Sequence, residues 1–177
     1  MTHWWQRSGT FVPYTELRQG NLPHCVYASV AGAVNFLVGK QVWVPVDLVV
    51  EHNRLRRGTN FSVADTALQR LNGEVEKIHH NSGCSTESLT PSLVRNWIDD
   101  SGVVILSLEL ADAAGGRSGA WHMFSLVGRD GELFQVWDTN GLRGFISADE
   151  IENGIPYPNG SFFLPHDKED TLVLKRV

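Results

Sequence analysis

The sequence predicts an α+β fold, with helices concentrated in its first half and an antiparallel sheet in its second. Three observations carry that expectation. The run from Cys25 to Val38 is apolar on nearly all sides, as a helix buried in the middle of a domain is. Ala64, Ala67, Leu68 and Leu71 recur at helical spacing. Beyond Val103 the period changes to β-rich runs, and Arg129-Asp130-Gly131-Glu132 carries the Asp-Gly of a hairpin. A chain of 177 residues is most simply one domain, or two closely apposed lobes, with a real core.

Residues 1–18 hold Trp, Phe and Tyr without a period and read as an N-terminal arm. It packs on the domain as core cover, with a lid near the cleft as the alternative. Residues 19–177 form the domain proper. Its first helix runs from Cys25 to Val38, with Gly39 as the stop. Gly32 inside that helix costs stability unless another element packs close there. Pro45 suits the first position of a second helix, to about Arg57, ended by Gly58. Ser62 opens a third helix, with Asp65 three residues on and Gly73 closing it. Val75 to His79 is a short strand. Thr90 and Pro91 start a fourth helix, with Val94, Trp97 and Ile98 inward and Gly102 at its end.

The second half follows as strands. Val103 to Leu110 is one, Ala111 to Gly119 a small, Gly-rich loop, and Trp121 to Val127 the strand entering the hairpin. Leu133 to Trp137 returns from it. Ser147 to Ile151 is a helical turn, and Ser161 to Leu164 and Thr171 to Lys175 are the closing strands.

Composition excludes several function classes. The chain is 42% hydrophobic and 20% charged, an ordinary globular balance. Its net charge of −5 leaves no electrostatic footprint for nucleic acid or an anionic membrane. No apolar run approaches a membrane span, and Met1 to Arg7 lacks a signal core. The expected setting is therefore cytoplasmic, or exported by a non-classical route. Cys25 and Cys84 make no disulfide framework and fit a reducing compartment.

Chemistry gathers around Cys25. It stands where the turn Gln19-Gly20-Asn21-Leu22-Pro23-His24 gives way to the apolar helix. Unpaired N–H groups and the positive end of the macrodipole favour a thiolate there, and the thiolate is the nucleophile. Gln19, six positions upstream (25 − 19 = 6), offers an amide donor to an oxyanion. His122 lies on the strand entering the hairpin and Asp138 at the end of the return strand, near in space once the hairpin forms. The carboxylate can hold the imidazole in one tautomer, and the imidazole can hold Cys25 as thiolate and protonate a leaving amine. Trp121 and Trp137 flank the pair and would shield it. Asn140 is the reserve group for orienting the ring, and His24 is placed to touch substrate.

In that order, Gln19…Cys25…His122…Asp138 resembles the papain-like cysteine peptidase superfamily. The interval from His122 to Asp138 (138 − 122 = 16) is of the usual kind. In size and style the chain is most similar to the small bacterial double-glycine leader peptidases, which also use Asp. His122-Met123-Phe124-Ser125-Leu126-Val127-Gly128-Arg129-Asp130-Gly131 fits their His strand and turn. Papain-like effector proteases of pathogenic bacteria share the triad. His24 and Val26 depart from the residues usual beside that Cys.

The resemblance implies a papain-like fold with the Cys on a central helix and His and Asp on the sheet. It implies a thiol hydrolase of peptide bonds, acting on a protein or peptide without a cofactor. Two alternatives stay open on the same fold: a glutamine deamidase or transglutaminase, and a non-catalytic binding module. A metal site from His79, His80 and Cys84 has no second pair at zinc-finger spacing.

Overall fold

The computed structural model describes residues 2–14, 17, 25–54, 62–71, 73–80, 89–111, 117–165 and 171–177. Within them the chain is α+β, with five helices and eight strands, every strand pair antiparallel. The helices are α1 (Cys25–Val38), α2 (Pro45–Arg54), α3 (Ser62–Leu68), α4 (Pro91–Asp99) and α5 (Ala148–Asn153). The strands are β1 (Val75–His80), β2 (Gly102–Ala111), β3 (Arg117–Asp130), β4 (Leu133–Asp138), β5 (Arg143–Ile146), β6 (Ile155–Pro156), β7 (Phe162–Pro165) and β8 (Thr171–Arg176).

One sheet holds them in the order β1-β8-β2-β3-β4-β5. β7 continues beside β2 where β8 leaves off, and β6 pairs with β7. Both sheet faces are apolar, and the pleat sorts side chains between them. Val103, Ile105, Met123, Leu172 and Leu174 join the core under α1, α2 and α3. Val104, Leu106, Phe124, Leu126 and Val173 join the core under α4 and α5. Helices therefore cover the sheet on both sides.

The boundaries differ from the sequence reading in places with physical causes. α2 is described only to Arg54, and the expected extension to Arg57 lies outside the described residues. At the end of α4 the left-handed position falls on Ser101 (φ 63°), not on Gly102. Gly102 begins β2 instead, where an added Cβ would sit 2.8 Å from the Trp97 carbonyl oxygen. β3 starts at Arg117, so part of the expected loop to Gly119 is strand. The hairpin pairs Asp130 with Leu133, so Gly131 (φ 58°) and Glu132 form its two-residue loop. A glycine at the first loop position is what a tight primed turn asks for. Strands β5 and β6 were not anticipated; four and two residues long, they are too short to show a period.

The arm is part of the fold rather than a flap upon it. Trp4 is fully buried in the core under α4 and α5, and its indole N–H donates to the Pro156 carbonyl at 2.7 Å. Its backbone crosses so close to Gly144 that a Cβ there would lie 2.1 Å from the Trp4 carbonyl oxygen. Arg7 pairs with Glu150 through both terminal nitrogens, at 2.6 and 2.9 Å. The Gln135 amide then mimics a strand neighbour, accepting from Val12 N at 2.6 Å and donating to Val12 O at 3.0 Å. The arm thus passes beside the edge strand β5 from one core to the other, blocking that edge.

Tyr14 ends this path as a wedge between α1 and the sheet. Its ring packs against Phe36 of α1 and Trp137 of β4, with centroids 5.1 and 5.8 Å away. Gly32 admits it: a Cβ on Gly32 would meet the Tyr14 hydroxyl at 2.7 Å. That close approach is why a helix-weakening residue sits in the middle of α1. Burial raises the Tyr14 hydroxyl well above its ordinary phenol range, the Ser125 side chain opposing the shift. The neutral wedge is therefore the stable form.

Gly32→Ala should destabilise the protein by about 1–3 kcal/mol in urea unfolding through overpacking. In a Tyr14→Phe background the nearest remaining ring atom would stand 3.4 Å away. There the same substitution should cost nothing, or gain roughly 0.5–1 kcal/mol from helix propensity.

Candidate active site

α1 begins at Cys25 and disappears into the core from Ala28 onward. The apolar sequence behind Cys25 thus fixes the helix in the fold and leaves its first residue, half-buried, at the rim. His122 arrives from the sheet. In β2–β3 it is paired with Leu108, and in β3–β4 Phe124 is paired with Asp138. His122 and Asp138 are therefore diagonal neighbours on one sheet face, two residues apart along β3, within reach of long side chains.

Their side chains meet. His122 Nε2 and Asp138 Oδ1 are 2.5 Å apart, with Asp138 wholly buried and His122 nearly so. A carboxylate only accepts, so Nε2 carries the proton and donates. That leaves Nδ1 for a second partner, and the Cys25 thiol is near enough to the ring to favour its charged form. The imidazole thus lies between the head of α1 and the end of β4, bonded to the Asp138 carboxylate and influenced by the Cys25 thiol.

Electrostatics favour a charged imidazole. Burial pushes His122 towards its neutral form, but the Asp138 hydrogen bond, the Cys25 hydrogen bond and the charges of both outweigh it, raising His122 to about 9. The ring sits among Phe124, Phe163 and Tyr157, with centroids 5.6, 5.7 and 6.4 Å away. Such walls keep water from competing for the charged contacts.

Asp138 is fully provided with donors. Besides His122, its Oδ1 accepts from Asn140 N at 2.9 Å, and its Oδ2 accepts from the Tyr157 hydroxyl at 2.7 Å. The turn after β4 arranges this, with Gly141 N donating to Asp138 O at 2.8 Å and Asp138 N to Leu142 O at 2.9 Å. A buried carboxylate with three donors meets the condition under which such a charge is tolerated.

The other expected site residues fall out differently. Asn140 is beside the ring, its Nδ2 lying 3.5 Å from His122 Nε2 and donating to the Tyr157 hydroxyl at 3.1 Å. Two donors face each other across that 3.5 Å, so Asp138, not Asn140, orients the imidazole. Trp137 does not shield the pair. The pleat turns it to the opposite face from Asp138, where it packs on Tyr14. Trp121 lies on β3 next to His122, but its side chain is outside what the structure describes. Gln19 and His24 also lie outside the described residues, as does Cys84.

Tyr157 and Phe163 are the site residues that sequence reading missed. They lie in a short hairpin whose strands show no period, so nothing in the sequence assigns them to the His122 neighbourhood. Among the described residues no cluster of three or more His, Cys, Asp or Glu could hold a metal ion, and His79 packs its ring on Trp97 at 4.7 Å. No described helix is long and apolar enough to cross a membrane. No protein-family model matches the chain, and no curated protein matches it in sequence.

The raised imidazole fixes the sign of a stability effect. Between its unfolded value of about 6.5 and about 9, the folded state holds a proton on His122 that the unfolded chain has released. That contribution is complete below about pH 6.5 and is lost as pH rises through about 9. Urea unfolding followed from pH 6 to 9.5 should show stability falling across this window, with a flatter profile in His122→Gln.

Proposed function

We propose that this protein is a papain-like thiol hydrolase that cleaves peptide bonds. The observation that supports it best is the buried His122–Asp138 pair, whose imidazole is raised in part by Cys25, with that thiol at the head of a buried helix. The same chemistry supports a papain-like reading of the α+β fold, in the style of the small leader peptidases.

In this mechanism Cys25 gives its proton to His122 Nδ1 and the thiolate attacks the amide carbonyl carbon. The C–N bond then breaks. His122 protonates the departing nitrogen, and the acyl group stays on Cys25 as a thioester. Water, deprotonated by His122, attacks the thioester, releasing the acid and restoring the thiol. Asp138 holds Nε2–H throughout and stabilises the imidazolium. The oxyanion is received by the Cys25 backbone N–H, at the first position of α1, together with the Gln19 amide. Cleaving a side-chain amide would use the same intermediate, so the shape of the cleft selects the substrate.

Cys25→Ala should abolish turnover of any peptide or protein that the wild type cleaves, with an unchanged melting temperature. Iodoacetamide provides a substrate-free measure. The wild-type thiol should be alkylated at pH 6 about as fast as at pH 8, and His122→Ala should lose that acid-side reactivity. An ordinary alkaline thiol profile in the wild type, or full activity in Cys25→Ala, sinks the mechanism.

A further inference from the structure

The environment of Asp138 holds a group that the triad does not account for. The carboxylate has two oxygens, and the imidazole uses only Oδ1. Rotation about the terminal bond of an aspartate is soft and roughly two-fold, and the Asn140 backbone N–H holds the same oxygen as the ring, leaving Oδ2 to be fixed by another group. Tyr157 supplies the missing restraint. Its hydroxyl donates to Oδ2 at 2.7 Å, from a ring fixed edge-on to Phe163 at 4.8 Å and lying near Phe124 at 6.3 Å.

The donor sense is determined. A hydroxyl has one hydrogen, and the carboxylate requires it. The remaining lone pairs are met by Asn140 Nδ2 at 3.1 Å, which leaves the O–H directed at Asp138. The backbone around Tyr157 is also tied. Tyr157 N donates to Ser161 O at 2.9 Å, Gly160 N donates to Tyr157 O at 3.0 Å, and the preceding residue carries the Trp4 indole bond. The tyrosine thus stands on an anchored hairpin outside the β3–β4 pair that bears His122 and Asp138.

We infer that Tyr157 is the positioning residue of this site, locking the Asp138 carboxylate through Oδ2 so that Oδ1 stays aligned with His122 Nε2. The inference rests on the hydrolase reading for its functional meaning. Its geometry does not. Its ring helps to wall the imidazole, while its hydroxyl is bonded to Asp138 and acts through that carboxylate. Burial first, and then the neighbouring Asp138 charge, hold its hydroxyl protonated well above the ordinary phenol range, while the Asn140 bond opposes this. The donor is therefore present at every pH at which the thiol would work.

Tyr157→Phe keeps the ring contacts and removes only the hydroxyl. The iodoacetamide rate at pH 6.5 should fall about tenfold, provided near-UV circular dichroism shows an intact fold. The alkaline limb of the His122 titration, followed by NMR of the imidazole, should move down from about 9 as Asp138 swings off the ring. In an Asp138→Asn background the same substitution should change the alkylation rate by less than about twofold, because the group it acts through is gone. A rate within about twofold of wild type, an unmoved or raised limb in Tyr157→Phe, or an equal loss in both backgrounds overturns the inference. If the wild-type thiol proves unreactive below neutrality, the hydrolase reading fails. The NMR titration then still decides whether Tyr157 holds Asp138.

Discussion

A carboxylate sealed from water is the constraint around which the site is built. Asp138 has no exposed surface, and an unpaired charge in that position would cost several kcal/mol. The fold answers with donors from three directions: an imidazole from β3, a backbone N–H from the turn after β4, and a phenol from the β6–β7 hairpin. Each arrives from a different part of the chain, so the arrangement exists only when the sheet, the turn and the hairpin are in place together. The histidine then carries the consequence to the surface, because a ring held at Nε2 presents Nδ1 to whatever heads α1.

Cys25 is held by a different force. It stands half-buried at the start of α1. α1 is set by apolar contact with the sheet and by the Tyr14 wedge against Gly32. Asn35 adds a polar lock, its side chain bonding Trp43 O at 2.7 Å, Val42 N at 2.7 Å and Trp43 N at 2.9 Å. Dispersion and burial therefore place the sulfur, while hydrogen bonding places the imidazole. The two halves of the chemistry are positioned by unlike interactions and meet at a single contact.

Much of this was legible in the residues, for identifiable reasons. The all-round apolar run after Cys25 can only be a buried helix, and α1 occupies Cys25–Val38 as expected. Thr90-Pro91 marks a start, and Thr90 does cap α4 by accepting from Leu93 N at 3.2 Å. The Asp-Gly signal found the hairpin, and the hairpin delivers His122 to Asp138. Sequence failed where side-chain direction mattered. Trp137 is next to Asp138 in the chain, yet strand alternation sends it to the other face. Asn140 looked like a second orienting group but shares a donor-to-donor contact with the ring. Tyr157 reaches the site through β6, a strand of two residues, which no periodicity can announce.

The sheet order has a consequence for how the molecule is made. β8 lies between β1 and β2, so residues 171–176 occupy an interior lane of the sheet although they follow every other described strand in the sequence. A ribosome-bound chain that has already released α1 and its sulfur still lacks the partner that joins β1 to the remainder. Such a chain has a gap at the centre of its sheet and an uncovered apolar surface beneath α1. Joining β1 and the core under α1 to the rest of the sheet thereby waits on residues 171–176.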